Sequence, residues 1–289
     1  MLTTTVNQLW VLQALCGAET MPVGLGHLKP YIPSVHSDMM VDTTAGSVPL
    51  TATAEYDCLR RTTPPVIDAN GRVDDVVRDW MTVLSRPDRE VILAIRIPNE
   101  PATETYGPTV SERTMVICRH QNRYLAMAAR SGDEIVIGGV GESQSLDGQT
   151  ALMTRMLLPA FGYCPPADID GINVPKAALM QAIQASAGAG AAGITAALKS
   201  VGLSPWDAQV VTAATQLDDS AMAVVTILDR GAQLRAHERV LTVADTEYGR
   251  VTFVTKPGAD GTEWMSIWPT TEASLEQDLA EFLAVGQLV

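Results

Sequence analysis

Apolar and polar residues alternate over short stretches in the middle of the chain, with tight polar breaks between them. Alternation with a period of two is typical of strands, because successive side chains point to opposite faces of a sheet. Breaks of three or four residues join antiparallel neighbours, since a parallel pair needs a long crossover. The pattern therefore predicts an antiparallel meander of three strands: Met115–Arg119, Tyr124–Arg130 and Glu134–Gly138.

A second meander is predicted closer to the end of the sequence. Residues that favour turns interrupt it at Asp229-Arg230-Gly231, at Tyr248-Gly249 and at Pro257–Gly261. The predicted strands of this second meander are Met222–Leu228, Gln233–Val240, Val251–Thr255 and Glu263–Trp268.

A polar segment with three prolines, Pro98–Arg113, joins the alternating strand Arg89–Ile97 to the first meander. Hairpin loops usually have about two to five residues, and longer loops without regular structure are often functional. We therefore predict a long surface loop that is a candidate binding element. A loop without function is the alternative.

Helical periodicity flanks both meanders. The stretch Arg72–Ser85 is predicted to place one apolar stripe on a helix face, formed by Val73, Val76, Val77, Trp80, Val83 and Leu84. Asp74 lies in the first turn, where the helix dipole favours a negative charge. Ser204-Pro205 is typical of a helix start. The predicted helices are Asn7–Cys16, Leu50–Arg61, Arg72–Ser85, Leu146–Leu158, Pro175–Ser186, Gly193–Val201, Asp207–Leu217 and Glu272–Ala284, with a first strand at Leu2–Val6.

The order of elements occurs twice, at an offset of about 130 residues. Arg86-Pro87-Asp88 leads into the first set of strands as Leu217-Asp218-Asp219 leads into the second, and a helix follows each set. We therefore predict an α+β protein of two similar halves, residues 1–164 and 165–289. The linker is expected near residues 164–171, which are rich in proline and aspartate.

The charge and the cysteines limit the classes of function. The 289 residues carry 33 acidic and 20 basic side chains, a net charge of −13. Because phosphate binding needs clustered Lys and Arg, nucleic acid and anionic membranes are poor partners. The four cysteines form no CxxC pair and are expected to be reduced and mostly buried. No secretion signal or membrane span is visible, so the protein is expected in the cytosol.

A glycine run, Gly188-Ala189-Gly190-Ala191-Ala192-Gly193, has the letters of a dinucleotide-binding fingerprint. The fingerprint works only when a strand precedes it, so that a helix N-terminus points at a pyrophosphate. Here Pro175–Ser186 is predicted as helix, which favours a flexible link between two helices. A nucleotide-binding enzyme that uses Gly188–Gly193 is the alternative hypothesis.

Other motifs give no catalytic or metal centre, and no cofactor is expected. His27, His36, His120 and His237 are scattered without metal-ligand spacing, and no GxSxG elbow is present. Within the predicted strand Gln233–Val240, the residues Gln233, Arg235, His237 and Arg239 would share one face, which is either a solvent face or a partner-reading face. Trp264 and Trp268 are expected to pack under the last helix, and an exposed aromatic hot spot is the alternative.

Two stretches carry a resemblance to a known family. The opening LTTTVNQLWVLQAL, residues 2–15, and VDDVVRDWMTVLSRPD, residues 73–88, resemble EspG proteins, the chaperones associated with ESX (type VII) secretion in mycobacteria. The closing aromatic strand and helix are similar too, so the resemblance covers nearly the whole chain. It implies a central antiparallel sheet with helical bundles and two halves related by a quasi-two-fold axis.

The resemblance also implies a function and a partner. It implies a cytosolic chaperone that binds the helical tip of the PPE protein in a PE–PPE heterodimer and delivers the pair to an ESX system, with general similarity favouring the third such system. The surfaces that correspond to the family's interface are the segment Asn99–Glu112, the helix Asp207–Leu217 with the strands after it, and the polar face described above. The predicted contact residues are Asn99, Glu100, Thr103, Glu104, Tyr106, Gln216, Thr226, Gln233, Arg235 and His237. A third hypothesis is a weak homodimer formed through a sheet edge.

Overall fold

The fold is α+β with a large antiparallel sheet, which confirms the predicted fold class. The computed structural model describes residues 1–26, 39–43, 46–100, 109–231 and 233–284. Its strands are β1 (Leu2–Thr5), β2 (Met40–Thr43), β3 (Gly46–Pro49), β4 (Arg89–Glu100), β5 (Thr109–His120), β6 (Tyr124–Ser131), β7 (Glu134–Glu142), β8 (Ile172–Pro175), β9 (Ala221–Arg230), β10 (Leu234–Ala236), β11 (Leu241–Thr246), β12 (Gly249–Pro257) and β13 (Glu263–Pro269).

Eight α-helices lie in the described ranges. They are α1 (Val6–Leu15), α2 (Ala54–Arg60), α3 (Asp75–Ser85), α4 (Leu146–Leu157), α5 (Lys176–Ser186), α6 (Gly190–Ser200), α7 (Pro205–Thr215) and α8 (Glu272–Ala284). Short 3-10 turns occupy Val23–Leu25, Leu50–Ala52, Leu158–Phe161 and Ala187–Ala189.

The chain divides into two compact units. Unit 1 holds Met1–Ile92, Thr114–Gln149 and Leu228–Arg235, and unit 2 holds Leu93–Arg113, Thr150–Ile227 and Ala236–Val289. Both units are therefore discontinuous in sequence. Strands β4, β5 and β9 contribute residues to each of them.

In unit 1 the sheet order is β1-β7-β6-β5-β4. The first strand pairs antiparallel with the last strand of the meander, with Leu2 opposite Ile137 and Thr5 opposite Glu134. Thr5 then begins α1 with a capping box, because its hydroxyl accepts from the Gln8 amide while the Gln8 side chain accepts from the Thr5 amide. The large buried side chains of α1, α2 and α3 pack on the sheet and form one core.

Ion pairs bind distant parts of unit 1 together. Arg89, which is 2% exposed, donates to both carboxylate oxygens of Asp229, at 2.7 and 3.0 Å. Beside it, the fully buried Glu90 accepts from the Arg230 guanidinium at 2.5 Å and from the Val23 amide at 3.0 Å. The two residues of each ion pair are 140 residues apart in sequence. A buried charge needs such partners, because its desolvation is otherwise very costly.

In unit 2 the sheet order is β9-β11-β12-β13-β8. The short strand β10, most of which belongs to unit 1, pairs with β9. Here too a strand that precedes a helix pairs antiparallel with the last strand of the meander, with Ile172 opposite Ile267 and Pro175 opposite Trp264. Helices α5, α6 and α7 pack on this sheet, and the core between them is made of Ala, Ile, Leu and Val side chains. Arg250 is buried, and it donates to Asp245 at 2.6 Å and to the Phe161 carbonyl at 2.8 Å.

Most of the predicted elements are confirmed, and α8 has the predicted bounds. Two predictions in the second meander were wrong. The predicted strand Gln233–Val240 is only three residues long, Leu234–Ala236, while Leu241–Thr246 is a strand that the sequence analysis left out. β11 pairs with the first half of β9, from Ala221 opposite Asp245 to Val225 opposite Leu241. Only the later residues of β9 are therefore left to pair with β10.

Candidate partner-binding surface

Two of the predicted contact residues lie at the end of the long strand β4. Asn99 and Glu100 end β4 and are exposed, and the Asn99 amide donates to the Ser111 hydroxyl on β5 at 2.8 Å. The prediction that Pro98–Arg113 is entirely loop was wrong, because β4 continues to Glu100 and β5 begins at Thr109. Thr103, Glu104 and Tyr106 lie outside the described residues.

An arginine fixes the outer part of β4 in unit 2. The Arg96 guanidinium donates to the Leu217 carbonyl and to the Asp218 carboxylate, the latter at 3.3 Å. Leu217 itself is 45% exposed. The bonds hold the segment after α7 against the strand, and they leave an apolar side chain facing solvent.

Helix α7 brings another predicted residue into a cleft. The Ser204 hydroxyl accepts from the Asp207 amide and Pro205 follows it, so the helix begins as predicted. The helix ends at Gln216, whose carbonyl accepts from the amides of Asp219 and Ser220. Gln216 lines a cleft of about 400 Å³ in unit 2. The cleft is bordered by Ala191, Thr195, Gln209, Thr212, Ala213, Gln216, Asp219, Ser220, Glu247 and Tyr248.

Two aromatic rings stand beside this cleft. Trp206 and Tyr248 meet edge to face, with ring centroids 5.1 Å apart and an angle of 71° between the planes. The Trp206 indole donates to the Asp168 carbonyl at 2.7 Å, and the side chain is still 43% exposed. An exposed tryptophan with a satisfied N–H is typical of binding surfaces. Sequence reasoning missed this pair, because Trp206 and Tyr248 are 42 residues apart (248 − 206) and carry no motif.

The remaining predicted contact residues lie on or next to β9 and β10. Thr226 is half-buried on β9 between the buried Val225 and Ile227, so its side chain points to the opposite face. Gln233 and Arg235 are exposed. The His237 amide donates to the Ile227 carbonyl at 2.9 Å. The strand ends at Ala236, so the prediction that Gln233, Arg235, His237 and Arg239 share one strand face was wrong.

The last strand exposes one tryptophan that was expected in the core. Trp268 is 43% exposed, and the prediction that it packs under α8 was wrong. Its ring covers Gly171, where an added Cβ would lie 2.4 Å from the ring. Gly171 also has φ +86, a conformation that favours glycine. The core positions of this strand are Ser266 and Ile267 instead.

The glycine run has no strand before it. Helix α5 precedes it, Ala187–Ala189 form a 3-10 turn, and Gly190 begins α6 with φ +66. The helix-to-helix link is therefore confirmed, and the geometry that a pyrophosphate site needs is missing at this place. Across the described ranges, no three His, Cys, Asp or Glu side chains are grouped so that they could hold a metal ion.

The cysteines are free thiols with different exposure. Cys118 is buried and Cys16 is half-buried, and burial raises the pKa of both thiols, for Cys16 to about 11. Cys58 is exposed, so the expectation that the cysteines are mostly buried was only partly right. None of the helices in the described part of the chain is both long and apolar enough to cross a bilayer.

The fold and the surface define a two-unit α+β protein with an aromatic cleft, and comparison with known proteins gives its family. The profile of the EspG family matches residues 5–281, so the chain belongs to the EspG family, as the resemblance indicated.

Two comparisons add detail to the family assignment. The ESX-2 secretion-associated protein EspG2 of Mycobacterium tuberculosis, found in two strains, is 26% identical over 257 residues, which are 87% of this chain and 83% of EspG2. Among solved structures, the M. tuberculosis type VII secretion chaperone EspG5, in complex with a PE25–PPE41 dimer, has a similar fold. The TM-score is 0.72 at 21% identity, over 98% of this chain and 95% of EspG5.

Proposed function

We propose that this protein is a cytosolic secretion chaperone that binds the tip of a PPE protein in a PE–PPE heterodimer and targets the pair to a type VII secretion system. The family match over residues 5–281 carries the proposal. The similarity of the fold to that of EspG5, whose structure holds a PE25–PPE41 dimer, supports the same class of partner. The protein would act by binding and not by catalysis.

The physical reason for such a chaperone lies in the partner. A helical tip that exposes apolar side chains is prone to aggregate, and a surface that covers it keeps the protein soluble until it is secreted. Such a surface needs apolar anchors surrounded by a polar rim. In unit 2 the exposed Leu217 and Trp206 offer anchors, and the polar residues Asn99, Glu100 and Gln216 offer a rim. Thr103, Glu104 and Tyr106, which lie outside the described residues, belong to the same proposal.

Residues around β10 are proposed as a separate set of polar contact residues. Gln233 precedes this short exposed strand, Arg235 lies on it and the half-buried His237 follows it, and Thr226 lies on the neighbouring strand β9. Rim charges mainly set the rate of association and its dependence on salt. Arg235→Glu should therefore slow association with the partner while the melting temperature stays unchanged. The same affinity and association rate as the unchanged protein would remove Arg235 from the interface.

Co-expression tests the function as a whole. The chain is produced together with each PE–PPE pair encoded in the same genome, and the lysate is purified through a tag on the PE protein. We expect one pair to elute with this chain as a ternary complex of equal stoichiometry by light scattering. Failure of every pair to retain the chain would contradict the proposal.

A further inference from the structure

The cleft between α6 and α7 has an apolar floor whose polar atoms are already satisfied. Ala191 and Ala213 contribute methyl groups, and the Thr195 and Thr212 hydroxyls lie 2.9 Å apart and bond to each other. The Ser220 hydroxyl donates to the Ala213 carbonyl at 2.8 Å. The floor therefore has little need of water, and it suits an aliphatic chain.

The rim of the cleft is negatively charged. Asp219 and Glu247 are exposed residues that border the opening, and none of the residues around it is basic. Within the described ranges, neither carboxylate has an ion-pair partner. The amides of Gln209 and Gln216 add acceptor oxygens on the α7 side. The site therefore favours a cation and disfavours phosphate or carboxylate ligands.

An aromatic ring forms the remaining wall, and its position is fixed. Interaction with the neighbouring Glu247 carboxylate is the main reason that the pKa of the Tyr248 hydroxyl is raised. The edge of Trp206 packs against the Tyr248 ring at 5.1 Å between centroids, and the Trp206 N–H is held by the Asp168 carbonyl. A ring held in place beside two carboxylates is a suitable surface for a guanidinium or ammonium group.

We propose that this cleft receives an arginine or lysine side chain of the protein partner. The inference rests on the proposed function, because it takes the secreted PE–PPE pair as that partner. The aliphatic stem would lie on the alanine and threonine floor, and the charged head would reach Asp219 and Glu247 beside the Tyr248 ring. Arginine fits best, since its planar head can bond to carboxylates and stack on an aromatic face at the same time.

Neutralising the rim tests the proposal on the whole complex. The double variant Asp219→Asn/Glu247→Gln should bind the cognate PE–PPE pair about tenfold more weakly, which corresponds to about 1.4 kcal/mol. The slope of affinity against salt concentration should also become shallower. The matched control is Asp170→Asn/Glu276→Gln, which removes the same charge from two exposed residues outside the cleft and should stay within about twofold of the unchanged protein.

Substitution of the ring separates a cation–π contact from general charge. Tyr248→Phe keeps the aromatic face and should retain most of the affinity, whereas Tyr248→Leu should weaken binding about fivefold. All variants are compared by melting temperature, so that loss of folding is recognised. Equal affinity of the Phe and Leu variants would contradict a cation on this ring.

The outcomes distinguish this inference from the proposed function. If a cognate pair binds the unchanged protein and the rim variant binds as tightly as its control, the inference is overturned while the function stands. If no pair binds, the function fails, and the cleft is tested with N-acetyl-arginine amide by following the Trp206 indole signal in NMR spectra. A saturable shift that the rim variant lacks supports a cation site, and no shift at about 10 mM overturns it.

Discussion

The two units repeat one plan but fill it with different side chains. In unit 1 the strand β1 pairs with β7 and leads directly into α1, and in unit 2 the strand β8 pairs with β13 and leads directly into α5. The paired residues even correspond, since Ile137 faces Leu2 as Ile267 faces Ile172. The difference lies in the layer of helices. Unit 1 buries Leu, Met and Tyr side chains there, whereas the helices of unit 2 are rich in alanine.

Polar and aromatic residues follow the same division. Unit 1 directs its charges inward, where Arg89, Glu90, Asp229 and Arg230 join segments that are far apart in sequence. Unit 2 has one buried arginine, and its main partner Asp245 is five residues away. Unit 2 also leaves a cleft and exposed tryptophans on its surface. Unit 1 therefore buries its ion pairs, whereas unit 2 leaves a cleft and aromatic surface exposed.

The strongest test of this comparison removes a charge from each unit. Glu90→Ala leaves Arg230 without its carboxylate and the Val23 amide without its acceptor, so the free energy of unfolding should fall by about 3 kcal/mol. Glu263→Ala breaks the exposed pair with Lys176 in unit 2 and should cost less than about 0.5 kcal/mol. Urea unfolding followed by circular dichroism measures both. Similar losses would show that burial of the charges does not distinguish the units.

A second test uses one turn glycine from each unit. An added Cβ at Gly249 would lie 2.7 Å from Pro166 and Ala167 backbone atoms, and φ is +113, so Gly249→Ala should cost about 3 kcal/mol. Gly132 has φ +61 but open space around it, so Gly132→Ala should cost only about 1 kcal/mol. Thermal unfolding of the two variants gives the comparison. Equal losses of stability in the two variants would mean that the backbone at Pro166 and Ala167 moves away from Gly249 to make room for the added Cβ.

The smallest expected effects come from two carboxyl groups with opposite pKa shifts. Backbone N–H donors of Arg72 and Asn70 lower the pKa of Asp68 in unit 1, whereas burial and then Glu281 raise the pKa of Asp278 in unit 2. The charged Asp68 therefore adds stability above the unfolded value of 3.8, and this is lost as the pH falls through its lower folded pKa. The folded protein favours the protonated form of Asp278. This contribution to the free energy of unfolding is fully present below the unfolded value of 3.8 and is lost as the pH rises through the raised folded pKa.

Substitution by asparagine checks both signs. At pH 7, Asp278→Asn should raise the free energy of unfolding by about 0.5 kcal/mol or less, and the melting temperature should rise slightly with it. Asp68→Asn should lower the melting temperature. At pH 3 both differences should shrink, because both carboxyls are then largely protonated in the unfolded chain. Differences of the same sign at pH 7 would contradict the assignment.

Local signals predicted the helices and most of the strands. Asp74 caps α3 with its own side chain, and α8 has the bounds that its periodicity indicates. The edge of β9 shows where local signals fail. The polar alternation in Gln233–Val240 is typical of a long strand. However, β11 pairs with β9 from Ala221 to Val225, so those residues of β9 are not free to pair with Gln233–Val240. Only Leu234–Ala236 forms a strand, and its length depends on a pairing that the local sequence does not show.

The candidate surface could be predicted only as a list of positions. Gln216 was placed correctly at the end of α7, but the cleft that it lines needs α6 and the turn at Tyr248 to come together. Trp268 gave the opposite lesson, because a tryptophan on a strand usually packs in the core. Its exposed ring covers Gly171, whose missing side chain makes room for it, and no pattern along the chain indicates that contact.

The 140 residues between Glu90 and Arg230 have a consequence for the protein while it is still on the ribosome. Translation proceeds at about 5–20 residues per second, so Arg230 is synthesised on the order of 10 s after Glu90, the buried residue of β4 with which it pairs. During that interval a nascent chain ending before β9 carries Arg89 and Glu90 without their permanent partners. Unit 1 can therefore be completed only after synthesis has passed Leu228–Arg235, the last segment that belongs to it.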